Sequence, residues 1–187
     1  IFVNIKTIMT ILSIETSCDE TAVSIIKASG IFENPKFKIL GNTLLSQIDI
    51  HKQYGGVFPM LAKREHAKNL IPLFIAALGE AGLLKSTKNK ISPKERQKIE
   101  TLLVRESEMI ESFLKLIETV KKPKIDAIAV TYGPGLEPAL WVGINFARAL
   151  ASTWQIPLIP VNHMEGHVFS SLIGEKKDNR YKIKDKI

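Results

Sequence analysis

Cysteine is almost missing from this chain: Cys18 is the only one in 187 residues. A single thiol excludes an intramolecular disulfide framework and any zinc site built from several cysteines of the chain, and it fits a reducing, cytoplasmic setting. Long apolar runs are missing too. The most apolar stretches, such as Leu70 to Leu78 and Ile125 to Val130, fall far short of the ~20 residues of a spanning helix. None follows a basic segment with a small-residue cleavage site, so neither membrane insertion nor export is expected. No internal repeat is evident, and no G-x-G-x-x-G occurs. Position 1 is Ile, and Met9 directly precedes the first strand pattern. Met9 is therefore expected as the natural start, with residues 1–8 as an upstream or disordered segment.

Apolar residues make up 45% of the chain, enough for a core, and the length suits one domain of ordinary size. The net charge is +7, which permits an acidic partner such as nucleic acid without specifying a fold. That excess is not spread evenly. Residues 85–124 carry 11 basic and 6 acidic side chains, the tail 174–187 carries 6 and 3, and everything else sums to −1. Any contact with a nucleic acid is expected to use those two peripheral segments.

Thr10 to Thr16 alternates apolar and polar residues as a half-buried strand does. Ser17-Cys-Asp-Glu-Thr21 suits a turn, and further strands are expected at Ala22 to Lys27 and Phe37 to Gln47, with Asn34-Pro35 as breakers. From Phe58 to Ala81 the apolar spacing is helical, with Pro72 expected to kink or break it. Ser92-Pro93 with Glu95 marks a helix start, and the stripe Ile99, Leu102, Leu103, Ile110, Phe113, Leu114, Ile117 predicts one long amphipathic helix to Val120. Ile125 to Thr131 reads as a buried parallel strand, followed by Gly133-Pro-Gly135, a helix over 137–153, a strand over 157–161, and a last helix capped by Asn162. The order βββ-α-α-β-α-β-α points to an α/β domain with a mixed sheet.

His163 and His167 lie four residues apart at the start of that last helix. The spacing puts both imidazoles on one face, where they can share a transition metal, although a stable centre needs a third protein ligand. Two surface histidines without a ligand are the bland alternative. The pair differs from a zincin motif, because Met164 follows the first His and Glu165 lies about 200° around the helix from it. Asp19 and Glu20, in the first-strand turn beside Ser17, can orient a metal-bound water or accept a hydrogen bond, yet both are also ordinary turn residues. Cys18 has no activating base nearby in sequence. Gly133-Pro-Gly135 is as well suited to a structural turn as to phosphate. In Arg64-Glu-His66 the imidazole could orient a ligand, but the stretch reads first as a solvated helix face.

Five stretches, in this order, resemble one family: Ile14-Glu-Thr-Ser-Cys-Asp-Glu-Thr21, His51-Lys-Gln-Tyr-Gly-Gly56, Arg64-Glu-His66, Tyr132-Gly-Pro-Gly-Leu136 and Val161-Asn-His-Met-Glu-Gly-His167. The family is that of the tRNA threonylcarbamoyladenosine transferases, formerly described as O-sialoglycoprotein endopeptidases. The resemblance implies an actin/sugar-kinase-like, ribonuclease H-like lobe. It implies transfer of a threonylcarbamoyl group from threonylcarbamoyl-AMP to the exocyclic amine of the adenosine beside the anticodon of tRNA. By motif position His163 and His167 become metal ligands for iron(II) or zinc, and Asp19 and Glu20 the candidate catalytic carboxylates. The implied partners are a paralogous subunit and a small ATPase if the protein is bacterial, or a kinase-containing complex if it is archaeal.

Against the family pattern, a Ser-Gly-Gly-His-Thr nucleotide stretch and a late Asp, the third metal ligand, have no counterpart here. The expectation is an N-terminal lobe over 9–173, with a long basic helical insertion at 85–124 and a tail at 174–187 leading toward a second lobe, inactive alone. Two other readings compete. A non-catalytic paralogous subunit is disfavoured by the histidine pair, and a metalloprotease by the position of Glu165.

Overall fold

The computed structural model describes residues 8–31, 34–172 and 180–182; most of the expected upstream segment and of the tail lies outside them. The elements are β1 (Met9–Glu15), β2 (Glu20–Ile31), β3 (Asn34–Ser46), α1 (Ile48–Lys52), α2 (Pro59–Glu80), α3 (Pro93–Leu102), a 3-10 turn (Val104–Met109), α4 (Ile110–Thr119), β4 (Ala127–Gly133), α5 (Glu137–Trp154), β5 (Leu158–Asn162), α6 (His163–Leu172) and β6 (Arg180–Lys182). The strands form one sheet in the order β5-β4-β1-β2-β3-β6. β1, β4 and β5 run parallel, while β1, β2, β3 and β6 pair antiparallel. The expected α/β lobe with a mixed sheet is what is found.

Alternation along the strands separates two faces. Leu12, Ile14, Val23, Ile25, Ile128 and Val130 are buried beneath α2 and α5. There Phe146 meets Phe74 and Phe113 edge-on, at centroid distances of 5.8 Å each. The opposite residues, Ser13, Glu15, Ser24, Asn42 and Thr131 among them, line an open cavity of about 500 Å³ that Gly166 and Ser170 of α6 border. Helix α2 rides so low on the sheet that a side chain at Gly41 would sit 2.3 Å from the Ala77 carbonyl oxygen, which only glycine tolerates.

Three expectations are corrected. Pro72 neither breaks nor ends α2. Pro72 and Lys68 are exposed, so water meets the carbonyl that loses its partner, while burial of Leu70, Ile71, Phe74, Ala77 and Leu78 holds the helix together. The single long helix to Val120 is instead α3, a 3-10 turn and α4, and the element order gains α1, a divided insertion and β6. Ser92 and Glu95 do form the capping box at the start of α3. The break comes where Glu106 leaves helical geometry at φ −122°, ψ 49° and turns inward to accept a hydrogen bond from Asn145 Nδ2 at 2.7 Å. The apolar stripe is real, but it wraps around the core on two helices rather than running straight. Third, β3 starts at Asn34, with Pro35 paired opposite Gly30 rather than breaking the strand.

Candidate metal and active site

The carboxyl ends of the parallel strands β1, β4 and β5 converge, as ligand sites in open α/β sheets do. They bring together Glu15 at the end of β1, Ser17 just beyond it, Thr131 on β4, and His163 after β5. Asn162 caps α6: its Oδ1 accepts from the backbone N–H of Met164 at 2.9 Å and of Glu165 at 3.2 Å. The first turn of α6 then points His163 and His167 at each other, with Nε2 atoms 3.0 Å apart and rings at 89°. Metal–nitrogen bonds of about 2.0–2.1 Å set two ligands roughly 3.3 Å apart in a tetrahedron and roughly 2.9 Å apart at right angles. The two nitrogens therefore fit a shared divalent ion. Among the described residues no third His, Cys, Asp or Glu joins them.

Glu15 is the hub behind this pair. One carboxylate oxygen accepts the Ser17 N–H at 2.5 Å, and the other accepts the Thr131 hydroxyl at 2.5 Å and lies 3.3 Å from His163 Nδ1. Ser17 Oγ is 3.2 Å from the same nitrogen. Burial alone pushes the Glu15 carboxyl up, but hydrogen bonds from Ser17, Thr131 and His163 together outweigh it and hold the group below the usual carboxylate value.

The turn carrying Ser17 to Glu20 is clamped from two sides. On one, the Leu136 N–H donates to Ser17 O at 2.7 Å, and a side chain at Gly135 would come within 2.6 Å of that oxygen. Thr16 donates to Ala139 O at 3.0 Å and accepts from the Gly143 N–H at 3.2 Å, tying the end of β1 to α5. The Gly133-Pro-Gly135 loop is thus a support for the turn. On the other side stands His66, which is fully buried and not on a solvated helix face as the sequence suggested. Its Nε2 is 3.0 Å from the Cys18 carbonyl oxygen, which can only accept, so Nε2 carries the proton. Nδ1 then accepts from Thr21 Oγ1 at 2.7 Å and Gln47 Nε2 at 3.3 Å. Burial lowers the affinity of His66 for a second proton.

Asp19 and Glu20 do not join the histidines through any hydrogen bond or ion pair among the described residues. Asp19 is half-buried in the turn, its carbonyl held by the Gln47 N–H at 2.8 Å. Glu20 is exposed and opens β2, two positions from Ala22, the cross-strand partner of Glu15, and so on the same sheet face. Burial and the neighbouring Asp19 push the Cys18 thiol up, away from thiolate chemistry. Glu165 is exposed, with no hydrogen bond or ion pair to the two histidines among the described residues.

The family model of the tRNA N6-adenosine threonylcarbamoyltransferases matches residues 38–92 and 101–181. The chain belongs to this family. A curated member, the tRNA N6-adenosine threonylcarbamoyltransferase of Thermomicrobium roseum, is 40% identical over 163 residues, which are 87% of this chain and 33% of that protein. The chain thus spans a third of the length of its threonylcarbamoyltransferase relative. Among solved structures, YeaZ from Pseudomonas aeruginosa is similar over 82% of this chain and 44% of that one, with 19% identity and a TM-score of 0.42. RuvC from Thermus thermophilus is similar over 91% and 74%, with 10% identity and a TM-score of 0.39. Residues 93–100, most of α3, fall between the two segments that the threonylcarbamoyltransferase model matches.

The histidine pair and the turn are legible in the sequence; Glu15, Thr131 and the role of His66 are not. Glu15 sits at a polar position of an alternating strand, which reads as solvent-facing until β4 and α6 are placed beside it. The signal that was available is its place in the Ile14 to Thr21 motif.

Proposed function

We propose that the chain supplies one lobe of a tRNA N6-adenosine threonylcarbamoyltransferase, with threonylcarbamoyl-AMP as donor and the adenosine beside the anticodon as acceptor. In that transfer the adenosine N6 forms a bond to the carbamoyl carbon, the bond from that carbon to the phosphate oxygen breaks, AMP leaves, and N6 gives up a proton. The observation that carries the reading is the convergence of the two Nε2 atoms at 3.0 Å over the carboxyl ends of the parallel strands, in a chain of this family.

His163 and His167 would hold iron(II) or zinc, completed by a ligand beyond the described residues. Such an ion acts as a Lewis acid toward the carbamoyl or phosphate oxygen. Glu15 and Ser17 keep His163 in place, and His66 with Gln47 and Thr21 keeps the turn in place. Asp19 and Glu20 are the carboxylates we assign to positioning the incoming amine and taking its proton. A peptidase reading finds no support, since Glu165 makes no hydrogen bond or ion pair with the histidines among the described residues. A purely non-catalytic subunit gives no reason for the pair.

The same reading places the protein in the cytoplasm; no helix among the described residues is long and apolar enough to cross a membrane. Its partners are then tRNA and the other subunits of a threonylcarbamoyladenosine-forming complex, a paralogue with a small ATPase or a kinase-containing assembly. Lysines 94, 98, 115, 121, 122 and 124 are exposed around α3 and α4, and we assign tRNA contact to them.

The test grafts these 187 residues in place of the matching third of the Thermomicrobium roseum relative. The reaction contains tRNA and an adenylate-forming synthase, and the modified nucleoside is measured. Modification by the graft, lost in His163→Ala and absent from the isolated chain, is expected. A folded graft that binds zinc but transfers nothing would overturn the reading.

A further inference from the structure

Glu15 lies outside the residues already assigned to chemistry, and the donor and acceptor count around it is restrictive. A carboxylate only accepts. One oxygen is taken by the Ser17 N–H, and the other serves the Thr131 hydroxyl and faces His163 Nδ1 at 3.3 Å. The Ser17 hydroxyl, 3.2 Å from the same nitrogen, can donate or accept, but the carboxylate can only accept, so for its contact to be attractive Nδ1 must carry the proton. The neutral ring then has its lone pair on Nε2, the atom that faces His167 Nε2 at 3.0 Å. Carboxylate, imidazole and ligand position thus follow one another in the order by which second-layer carboxylates fix the tautomer of metal-binding histidines.

We propose that Glu15 is a positioning residue: it holds His163 as the Nδ1–H tautomer with its Nε2 lone pair turned toward His167, ready for a divalent cation. The second half of this statement rests on the metal reading given above; the first half does not. β1 and β4 are central neighbours in the sheet, so Glu15 and Thr131 are set by the strand register, Ile14 opposite Val130, rather than by a loop. The side chain of Glu15 is 32% exposed and that of His163 26%, so bulk water competes only in part with the contact.

Glu15→Gln is the informative variant, because it keeps shape while removing one acceptor. The Ser17 N–H requires an oxygen, so the amide NH2 is left facing His163 Nδ1. That nitrogen must then accept, and the proton moves to Nε2. Imidazole 15N shifts of the metal-free chain read the tautomer directly, and calorimetric Zn2+ titration of the graft described above, with and without Glu15→Gln, reads the consequence. Expected are an Nδ1–H ring for His163 in the wild type, an Nε2–H ring in Glu15→Gln, and a loss of zinc affinity on the order of 10- to 100-fold. Ser17→Ala should leave the tautomer unchanged. The proposal fails if wild-type His163 is already Nε2–H, if Glu15→Gln does not shift it, or if Ser17→Ala alone does. Should the tautomer respond to Glu15 while neither protein binds zinc, the positioning role stands and the metal reading fails. Should zinc bind the wild type and Glu15→Gln equally, with the tautomer unmoved, the metal reading stands and this proposal falls.

Discussion

Leu12 and Ile14 of β1 are sealed in the core on the side of α5, whereas Ser13 and Glu15, one position away on the same strand, look onto an open cavity. The same division runs through β2, where Val23 and Ile25 are fully buried and Ala22 and Ser24 line the cavity. One face of the sheet buys stability; the other is left free to carry polar groups at the strand ends. The polar residues Glu15, Thr131 and His163 all belong to the open side or its rim, and their supports reach through from the closed side. Thr16 is the link, pointing into the packed face and tying the end of β1 to α5.

The largest test of this division is on the closed face. Ile25→Ala removes a fully buried side chain and is expected to cost about 2–5 kcal/mol in denaturant unfolding. Next comes the clamp between the faces. Gly135→Ala drives a methyl group toward the Ser17 carbonyl and Cβ, at 2.6 and 2.9 Å, so a loss of about 1–3 kcal/mol is expected; on the proposed metal reading the displaced turn also weakens zinc binding by the graft.

Glu106 is the exception within the packed side: it is fully buried, one of its oxygens has no hydrogen-bond partner among the described residues, and burial raises its pKa above the ordinary 4.5. A raised folded-state value means that its stabilising contribution is whole below pH 4.5 and is lost as pH rises through the folded value. Glu106→Gln should therefore melt higher than wild type at pH 8, with the gap closing toward pH 4.5. Equal gaps at both pH values would show that the carboxyl is not strained by its burial. Smallest of all, Ser24→Ala on the open face should change stability by no more than about 0.5 kcal/mol. A cost matching that of Ile25→Ala would mean the open face is structural too.

Much of this was legible beforehand. Alternation marked β1 and β2, the apolar run Ile125 to Val130 marked β4, and Asn162 marked the start of α6, because periodicity and caps are local properties. The histidine pair was legible for the same reason: i and i+4 on a helix face need no tertiary information. Pro72 misled because helix continuity is decided by what the other side of the helix buries. The stripe from Ile99 to Ile117 misled because a period cannot show where a buried Glu106 will turn the chain inward toward Asn145.

By itself the sequence determined the family, through five short motifs in order, and the local geometry of its two histidines. Only the tertiary structure decided what stands behind them. His66 and His163 look alike on paper, yet one is buried among Thr21, Gln47 and the Cys18 carbonyl as a brace, and the other faces Glu15 across a gap of 148 positions in sequence. Their roles are set by the neighbours that strand register brings within hydrogen-bond distance, and register is a property of the assembled sheet.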